Sequence, residues 1–132
     1  MAKYAYPAIF TPEEDGAYSI SFPDLDGCFT CGDNLEDGIE SAEDALALML
    51  YEYETESRTI PEPSPLSSFV LKDGEFANYI ACDTLEYRKM FCNKAVKKTL
   101  SIPEWLNEAA ISMGLNFSQV LQEALLQKVQ VK

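Results

Sequence analysis

Apolar and polar residues alternate with a two-residue period along the first thirty residues, and this is the period of a β-strand. The alternation from Tyr4 to Phe10 predicts a first strand, in which Pro7 indicates an edge position or a bulge. A second strand is predicted over residues 17–22 and a short third one over residues 28–31, with turn-forming Gly, Pro and Asp residues between them. The pattern therefore predicts a small sheet.

The period then lengthens to that of an amphipathic helix. Apolar residues recur at steps of three and four and share one predicted inner face, which consists of Leu35, Ile39, Ala42, Leu46, Met49 and Tyr53. Asn34 is the predicted N-cap, Gly38 lowers the helix propensity, and the helix is predicted to end near Glu56 and Ser57.

The middle of the chain is less regular. Three prolines predict an extended loop over residues 59–68. Residues 69–71 and 76–82 predict a hairpin that returns to the sheet. Residues 83–95 predict a connector with room for a helical turn.

The last third predicts a strand followed by two helices. The strand covers residues 96–102, and Pro103 is the predicted first residue of a helix that ends at Gly114. Asn116 is the predicted N-cap of the second helix, with Gln119 as its capping-box partner. The predicted inner faces consist of Leu106, Ala109, Ala110 and Met113 in the first helix and Val120, Leu121, Ala124 and Leu125 in the second.

A strand and two short helices cannot bury a core alone, and a lone strand has two unpaired edges. Two copies that pair their strands antiparallel would solve both problems, so we expect a homodimer or a higher even oligomer. A two-stranded ribbon fits the major groove of B-DNA. The candidate DNA-binding residues are Lys97, Thr99 and Ser101 on the outward face of the strand, opposite Leu100 and Ile102, and Asn116, Phe117 and Ser118 at the start of the second helix, whose free N–H groups suit phosphate. The alternative is a tail that only dimerises.

Charge is distributed unevenly. The formal net charge is −12, and it divides into −16 for residues 1–87 and +4 for residues 88–132. The division favours two modules with different partners, a basic protein for the first and nucleic acid for the second. The alternative is an acidic surface that only keeps the domain soluble.

Four cysteines, Cys28, Cys31, Cys82 and Cys92, raise the question of a zinc or redox site. Cys28 and Cys31 form a CxxC motif, but a zinc site needs two more ligands and the chain has no histidine. We therefore expect packing thiols, with neither a metal nor another cofactor. No apolar run is long enough for a membrane span, and no signal peptide is recognisable, so a cytoplasmic protein is expected.

Contiguous motifs lie in both parts of the chain. The first half contains Tyr6-Pro7-Ala8, the stretch from Tyr18 to Asp33 and the stretch from Ala42 to Leu46, and the tail contains residues 100–103 and 116–121. In these motifs the whole chain resembles HicB-family antitoxins, and the tail looks like the ribbon-helix-helix variant of the family. Asp26 and Gly38 stand where proline and alanine would be more usual.

The resemblance implies an antitoxin that neutralises a HicA-like, mRNA-cleaving toxin and represses its own operon by binding operator DNA as a dimer. It implies an α+β fold with three segments: an acidic toxin-binding domain over residues 1–82 with a partial ribonuclease-H-like fold, a connector over 83–95, and a ribbon-helix-helix domain over 96–132.

Two other functions stay open at this point. A metal-dependent nuclease would need several carboxylates that converge on one site, but the first strand carries no acid, so we expect no enzymatic activity. A stand-alone ribbon-helix-helix regulator with a ligand-binding or protein-binding N-terminal domain would show the same patterns.

Overall fold

The computed structural model describes residues 2–130, so the last two residues of the predicted tail lie outside the described part. The chain forms two compact units, residues 1–94 and residues 95–132. The first unit contains β1 (Lys3–Pro12), β2 (Tyr18–Ser21), β3 (Phe29–Gly32), α1 (Leu35–Thr55), β4 (Phe76–Asp83) and α2 (Thr84–Phe91), with short 3-10 helices at Glu14–Gly16 and Leu66–Ser68. The second unit contains α3 (Glu104–Ser112) and α4 (Phe117–Gln130).

The sheet is antiparallel throughout, with the strand order β3-β2-β1-β4. β4 pairs with β1 over eight consecutive positions, from Lys3↔Asp83 to Phe10↔Phe76. β2 pairs only with the last four residues of β1. β1 is therefore central, and β3 and β4 form the edges.

The prediction that Pro7 marks an edge strand or a bulge is wrong. Pro7 lies opposite Tyr79 in a ladder without interruption, and it is buried. A proline fits there because β2 pairs only from Ile9 onward, so no β2 residue needs an N–H donor at position 7.

α1 packs on one face of the sheet, and the apolar core lies between them. The Asn34 side chain accepts a hydrogen bond from the N–H of Asp37, as the predicted N-cap requires. The buried stripe is rotated relative to the prediction: Leu35 and Ile39 are more than a third exposed. The buried helix residues are Gly38, Ala42, Leu46, Ala47, Leu50 and Tyr53.

Two glycines bring β3 and α1 into contact. A Cβ atom on Gly32 would fall on the backbone N and Cα of Gly38, and a Cβ on Gly38 would lie 3.1 Å from Cδ1 of Ile20. The close approach of the two backbones therefore requires a glycine at position 32, whereas a side chain on Gly38 would only crowd Ile20.

Two predictions for the middle of the chain need correction. No strand forms over residues 69–71, where Val70 is 98% exposed, and β4 pairs with β1 instead of with a hairpin partner. Most of the predicted connector is α2, an eight-residue helix that packs against α1. Its N-cap is Asp83, whose carboxylate accepts from the N–H of Leu85.

In the second unit, residues 96–102 are not assigned to a strand, because the described chain offers them no ladder partner. Pro103 is the N-cap of α3 instead of its first residue. Gly114, in the left-handed region, ends the helix, and the N–H of Leu115 bonds to the carbonyl of Ala110. Asn116 caps α4 through the N–H of Gln119, but the Gln119 side chain donates to Glu123, so only half of the capping box forms.

Candidate partner-binding surfaces

The second unit has no interior of its own. None of its described residues is buried, and its large apolar side chains other than Leu121 are exposed by two fifths or more, as for Leu100 (58%), Ile102 (49%) and Val120 (46%). An apolar groove of about 530 Å³ runs through it. It is lined by Lys98, Leu100, Ile102, Leu106, Asn107, Ala110, Leu115, Phe117, Val120, Leu121 and Ala124.

Alternate residues of the extended segment line this groove. Lys98, Leu100 and Ile102 face it together with α3 and α4, whereas Lys97, Thr99 and Ser101 are exposed and do not line it. The side chains that line the groove and those that do not therefore alternate along the segment, as they do on the two faces of a β-strand. The groove includes Asn107 of α3, which was not predicted to line it. Three residues predicted on the inner faces do not line it: Ala109, Leu125 and Met113, the C-cap of α3, which is 72% exposed.

The candidate residues at the start of α4 differ in their surroundings. Asn116 uses its side chain to cap the helix, and the Phe117 side chain lines the groove. Ser118 is exposed in the first turn. The first N–H groups of a helix have no acceptor within it, so this end of α4 can accept an anion.

The division of charge changes when the charges are counted for the two structural units, which meet between residues 94 and 95. Arg88, Lys89 and Lys94 belong to the first unit, which then carries −13, and the second unit carries only +1. Arg88 pairs with Glu54 at 3.2 Å, and Lys89 pairs with Glu86 at 3.0 Å. These two bases are thus committed to contacts inside the acidic unit.

A polar network in the first unit was not visible in the sequence. Glu54, near the end of α1, accepts hydrogen bonds from the hydroxyls of Tyr4 and Thr84 and from Arg88. Burial alone would raise the pKa of Glu54, but the hydrogen bonds that Glu54 accepts, these three among them, outweigh burial and lower the pKa to about 2. Burial and the hydrogen bond to Glu54 raise the pKa of Tyr4 to about 12. The network joins residues from distant parts of the chain, so no local sequence pattern indicates it.

The cysteines do not converge on one site. Cys28 is buried and Cys31 is exposed, as opposite faces of an extended segment require. Burial raises the pKa of the Cys28 thiol to about 11 and that of Cys82 to about 12, which keeps both protonated. Among residues 2–130, no group of three or more Cys, Asp or Glu side chains is placed to hold a metal ion. No helix in the same range is long and apolar enough to span a membrane.

The fold and these surfaces define a two-unit α+β protein that combines an acidic unit with its own core and a helical unit in which no described residue is buried. The chain belongs to the HicB-like antitoxin family of bacterial toxin-antitoxin systems, because the family model matches residues 6–124.

Known proteins are similar to this chain over different lengths. Antitoxin HicB of Escherichia coli (strain K12) is 38% identical over 63 residues, which cover 48% of this chain and 46% of that protein. The match thus spans less than half the length of this curated relative. A toxin-antitoxin complex from Streptococcus pneumoniae contains a chain with a TM-score of 0.61 and 26% identity, covering 96% of this chain and 99% of that chain. A crystal structure of antitoxin HicB3 gives a TM-score of 0.52 and 25% identity, covering 96% and 98%.

Proposed function

We propose that the chain is an antitoxin that neutralises a HicA-like, mRNA-cleaving toxin through its first unit and represses its own operon through its second unit. In this proposal the second unit is a ribbon-helix-helix domain that dimerises and binds operator DNA. The observation that carries the DNA-binding half is the apolar groove in a unit without a single buried residue among those described.

A second copy supplies what this unit lacks. Antiparallel pairing of residues 96–102 with the same segment of another chain would provide the missing ladder partner. The same pairing would place Leu100 and Ile102 of both copies over the groove and remove apolar surface from water. Such an interface is isologous, so it closes at two copies or leads to a higher even number.

The outer face of that ribbon would carry the residues that read DNA. Lys97, Thr99 and Ser101 from both chains would enter the major groove, where their side chains can contact base edges. The N–H groups at Asn116, Phe117 and Ser118 would hold phosphates on either side. Because the net charge of the unit is only +1, we expect few phosphate contacts and a shallow salt dependence.

The DNA-binding half is tested by Thr99→Ala and Ser101→Ala in the full chain, with Ser112→Ala in α3 as the matched control. We expect each ribbon variant to bind the promoter DNA of its own operon more weakly. The loss of binding free energy should be about 1–3 kcal/mol for each hydrogen bond to a base edge that the variant removes. The control variant should bind like wild type. Fluorescence anisotropy at several salt concentrations measures the affinity, and light scattering verifies the dimer. Wild-type affinity in both ribbon variants with intact dimers would leave the tail as a dimerisation device only.

The toxin-binding half rests on the charge of −13 in the first unit and on the neighbouring Streptococcus pneumoniae chain, which belongs to a toxin-antitoxin complex. An acidic surface attracts a basic protein and speeds its encounter. We expect the full chain to restore growth of cells that express the HicA-like protein of its own operon, and the association rate to fall as salt rises. A chain that neither binds nor inhibits that protein would favour a stand-alone regulator.

The finer fold assignment and the lack of catalysis are part of the same proposal. We assign the first unit to a partial ribonuclease-H-like fold, because an antiparallel sheet is followed by a helix packed on it and by a further strand beside β1. We assign it no enzymatic role, because β1, the central strand, has no acidic side chain on which a two-metal site could be built.

A further inference from the structure

The sheet has a second face, which α1 does not cover. Side chains of each strand alternate between the two faces, so the neighbours of buried Phe10, Ile20 and Ile80 point away from α1. The strand register places them in rows, one of which runs from Phe29 on β3 through β2 and β1 to β4. We call this surface the open face.

The open face is apolar or uncharged along most of its length. Between the row at Lys3 and Asp83 and the opposite end of the sheet, its strand residues are Ala, Pro, Ile, Ser, Thr, Cys, Phe and Tyr. Pro7, near the centre, is buried and Ile9 and Ala77 are half-buried, whereas the exposed residues of the face include Ser21, Phe29, Cys31, Tyr79 and Ala81. Phe29 on the β3 edge is 72% exposed, and Tyr79 on the β4 edge is 48% exposed. A shallow depression of about 450 Å³ lies beside Phe29. Aromatic side chains that rise above small neighbours are typical of the residues that dominate protein interfaces.

One end of this face carries carboxylates that its own hydroxyls hold in place. Thr11 Oγ1 donates to Glu75 Oε2 at 2.7 Å, and Ser19 Oγ donates to Glu13 Oε1 at 3.0 Å. Hydrogen bonds from the Lys72 backbone N–H and from Thr11 lower the pKa of Glu75, so this group is anionic at neutral pH. The open face thus combines an apolar centre with two carboxylates at one end.

We infer that the open face is the surface on which the first unit docks its toxin, a small basic protein whose apolar contact patch is bordered by Lys or Arg. The inference rests on the proposed function and locates the toxin interface. The exposed side of α1 offers carboxylates and the aliphatic side chains Leu35, Ile39 and Leu48. Its half-buried Tyr51 is already in contact with Tyr87 and Arg88 of α2, so this side has no free aromatic side chain for a partner. A second copy is less suited to the face, because the carboxylates and the net charge of −13 on the first unit of each copy would repel those of the other.

The test compares full-length variants for binding to the HicA-like protein of the same operon, made with its catalytic residue replaced. Tyr79→Ala and Phe29→Ala remove one aromatic side chain each from the open face. Leu48→Ala, at a residue 44% exposed on α1, is the matched control. We expect each open-face variant to raise the Kd at least about tenfold and the control to change it less than about twofold. The double variant Glu13→Gln with Glu75→Gln is expected to slow association about threefold to tenfold at low salt and to have little effect at high salt.

Thermal melts and light scattering accompany each binding measurement and identify any variant that fails to fold. If one of the two open-face variants does not fold, the toxin binding of the other one is the test. Open-face variants that bind like wild type would overturn the inference, and so would a loss confined to Leu48→Ala. A change in oligomeric mass with unchanged toxin binding would make a second copy the occupant and would also overturn it. If the wild-type chain itself does not bind the toxin, the proposed function fails, which is a different outcome from a misplaced interface.

Discussion

At the scale of single residues, Glu54 connects parts of the first unit that are distant in sequence. Its Oε2 accepts from Tyr4 at 2.8 Å and from Thr84 at 2.9 Å, and its Oε1 accepts from Arg88. Thr84 is fully buried and also exchanges hydrogen bonds with the backbone of Ala2. A carboxylate with this many donors is held in its charged form, so its removal deprives the buried Thr84 hydroxyl and the partly buried Tyr4 and Arg88 side chains of this acceptor.

Glu54→Gln should therefore lower the free energy of unfolding by roughly 1–3 kcal/mol at pH 7. The pKa of Glu54 is about 2 in the folded state, below the ordinary value of 4.5, so its stabilisation is complete above about pH 4.5 and is lost as the pH falls toward 2. The difference between wild type and variant should shrink over that range. Urea unfolding at pH 7, 4 and 3 measures it, with Glu52→Gln, an exposed glutamate of the same helix, as the control. A difference that does not change with pH would contradict this role for Glu54.

At the scale of secondary-structure elements, β3 and α1 approach so closely that only glycine fits at the contact. The added Cβ at Gly32 would meet the α1 backbone, which cannot move without shifting the helix. The added Cβ at Gly38 would meet the end of the Ile20 side chain, which can rotate or shift. The two glycines are thus unequal, although both look like poor choices when each element is considered alone.

Gly32→Ala should destabilise the first unit by roughly 3 kcal/mol or more, or prevent its folding, because a methyl group would overlap the helix backbone. Gly38→Ala should change the stability much less, since a gain of about 1 kcal/mol in helix propensity opposes the crowding of Ile20. Chemical denaturation followed by circular dichroism compares the two variants. Equal effects would mean that β3 and α1 are not in the close contact described.

At the scale of the whole molecule, the two units differ in how they are stabilised. The first has a core of its own between α1 and the sheet. The second has none among its described residues. In the proposed dimer its stability would therefore depend on the second chain and on protein concentration.

Leu100→Ala should weaken the proposed dimer by about 2–4 kcal/mol if Leu100 is buried between two copies. Met113→Ala is the control, because Met113 is 72% exposed and lies outside the groove. Sedimentation equilibrium should show dissociation at a higher concentration for the Leu100 variant only, while the melting of the first unit stays unchanged. An unaltered dimer would place the main interface elsewhere.

Sequence patterns were sufficient to predict the features that depend on near neighbours along the chain. The two-residue alternation located β1 and β2, the helical period located α1, and Asn34, Asn116 and Gly114 marked helix ends that the structure confirms. The family resemblance, too, follows from motifs that are contiguous in sequence. Periodicity and capping are local, because they depend on backbone geometry within a few residues.

Which elements are neighbours became clear from the folded chain, because strand order and helix packing are not visible in local patterns. The tertiary structure made β1 the central strand in spite of Pro7, paired β4 with β1 instead of with residues 69–71, and turned most of a predicted connector into α2. It also assembled Glu54 with Tyr4, Thr84 and Arg88 and separated the open face from the core. Strand order and side-chain networks depend on interactions between distant residues, which the local pattern does not record. Residues 96–102 are the limiting case, since their strand partner is proposed to lie in another molecule.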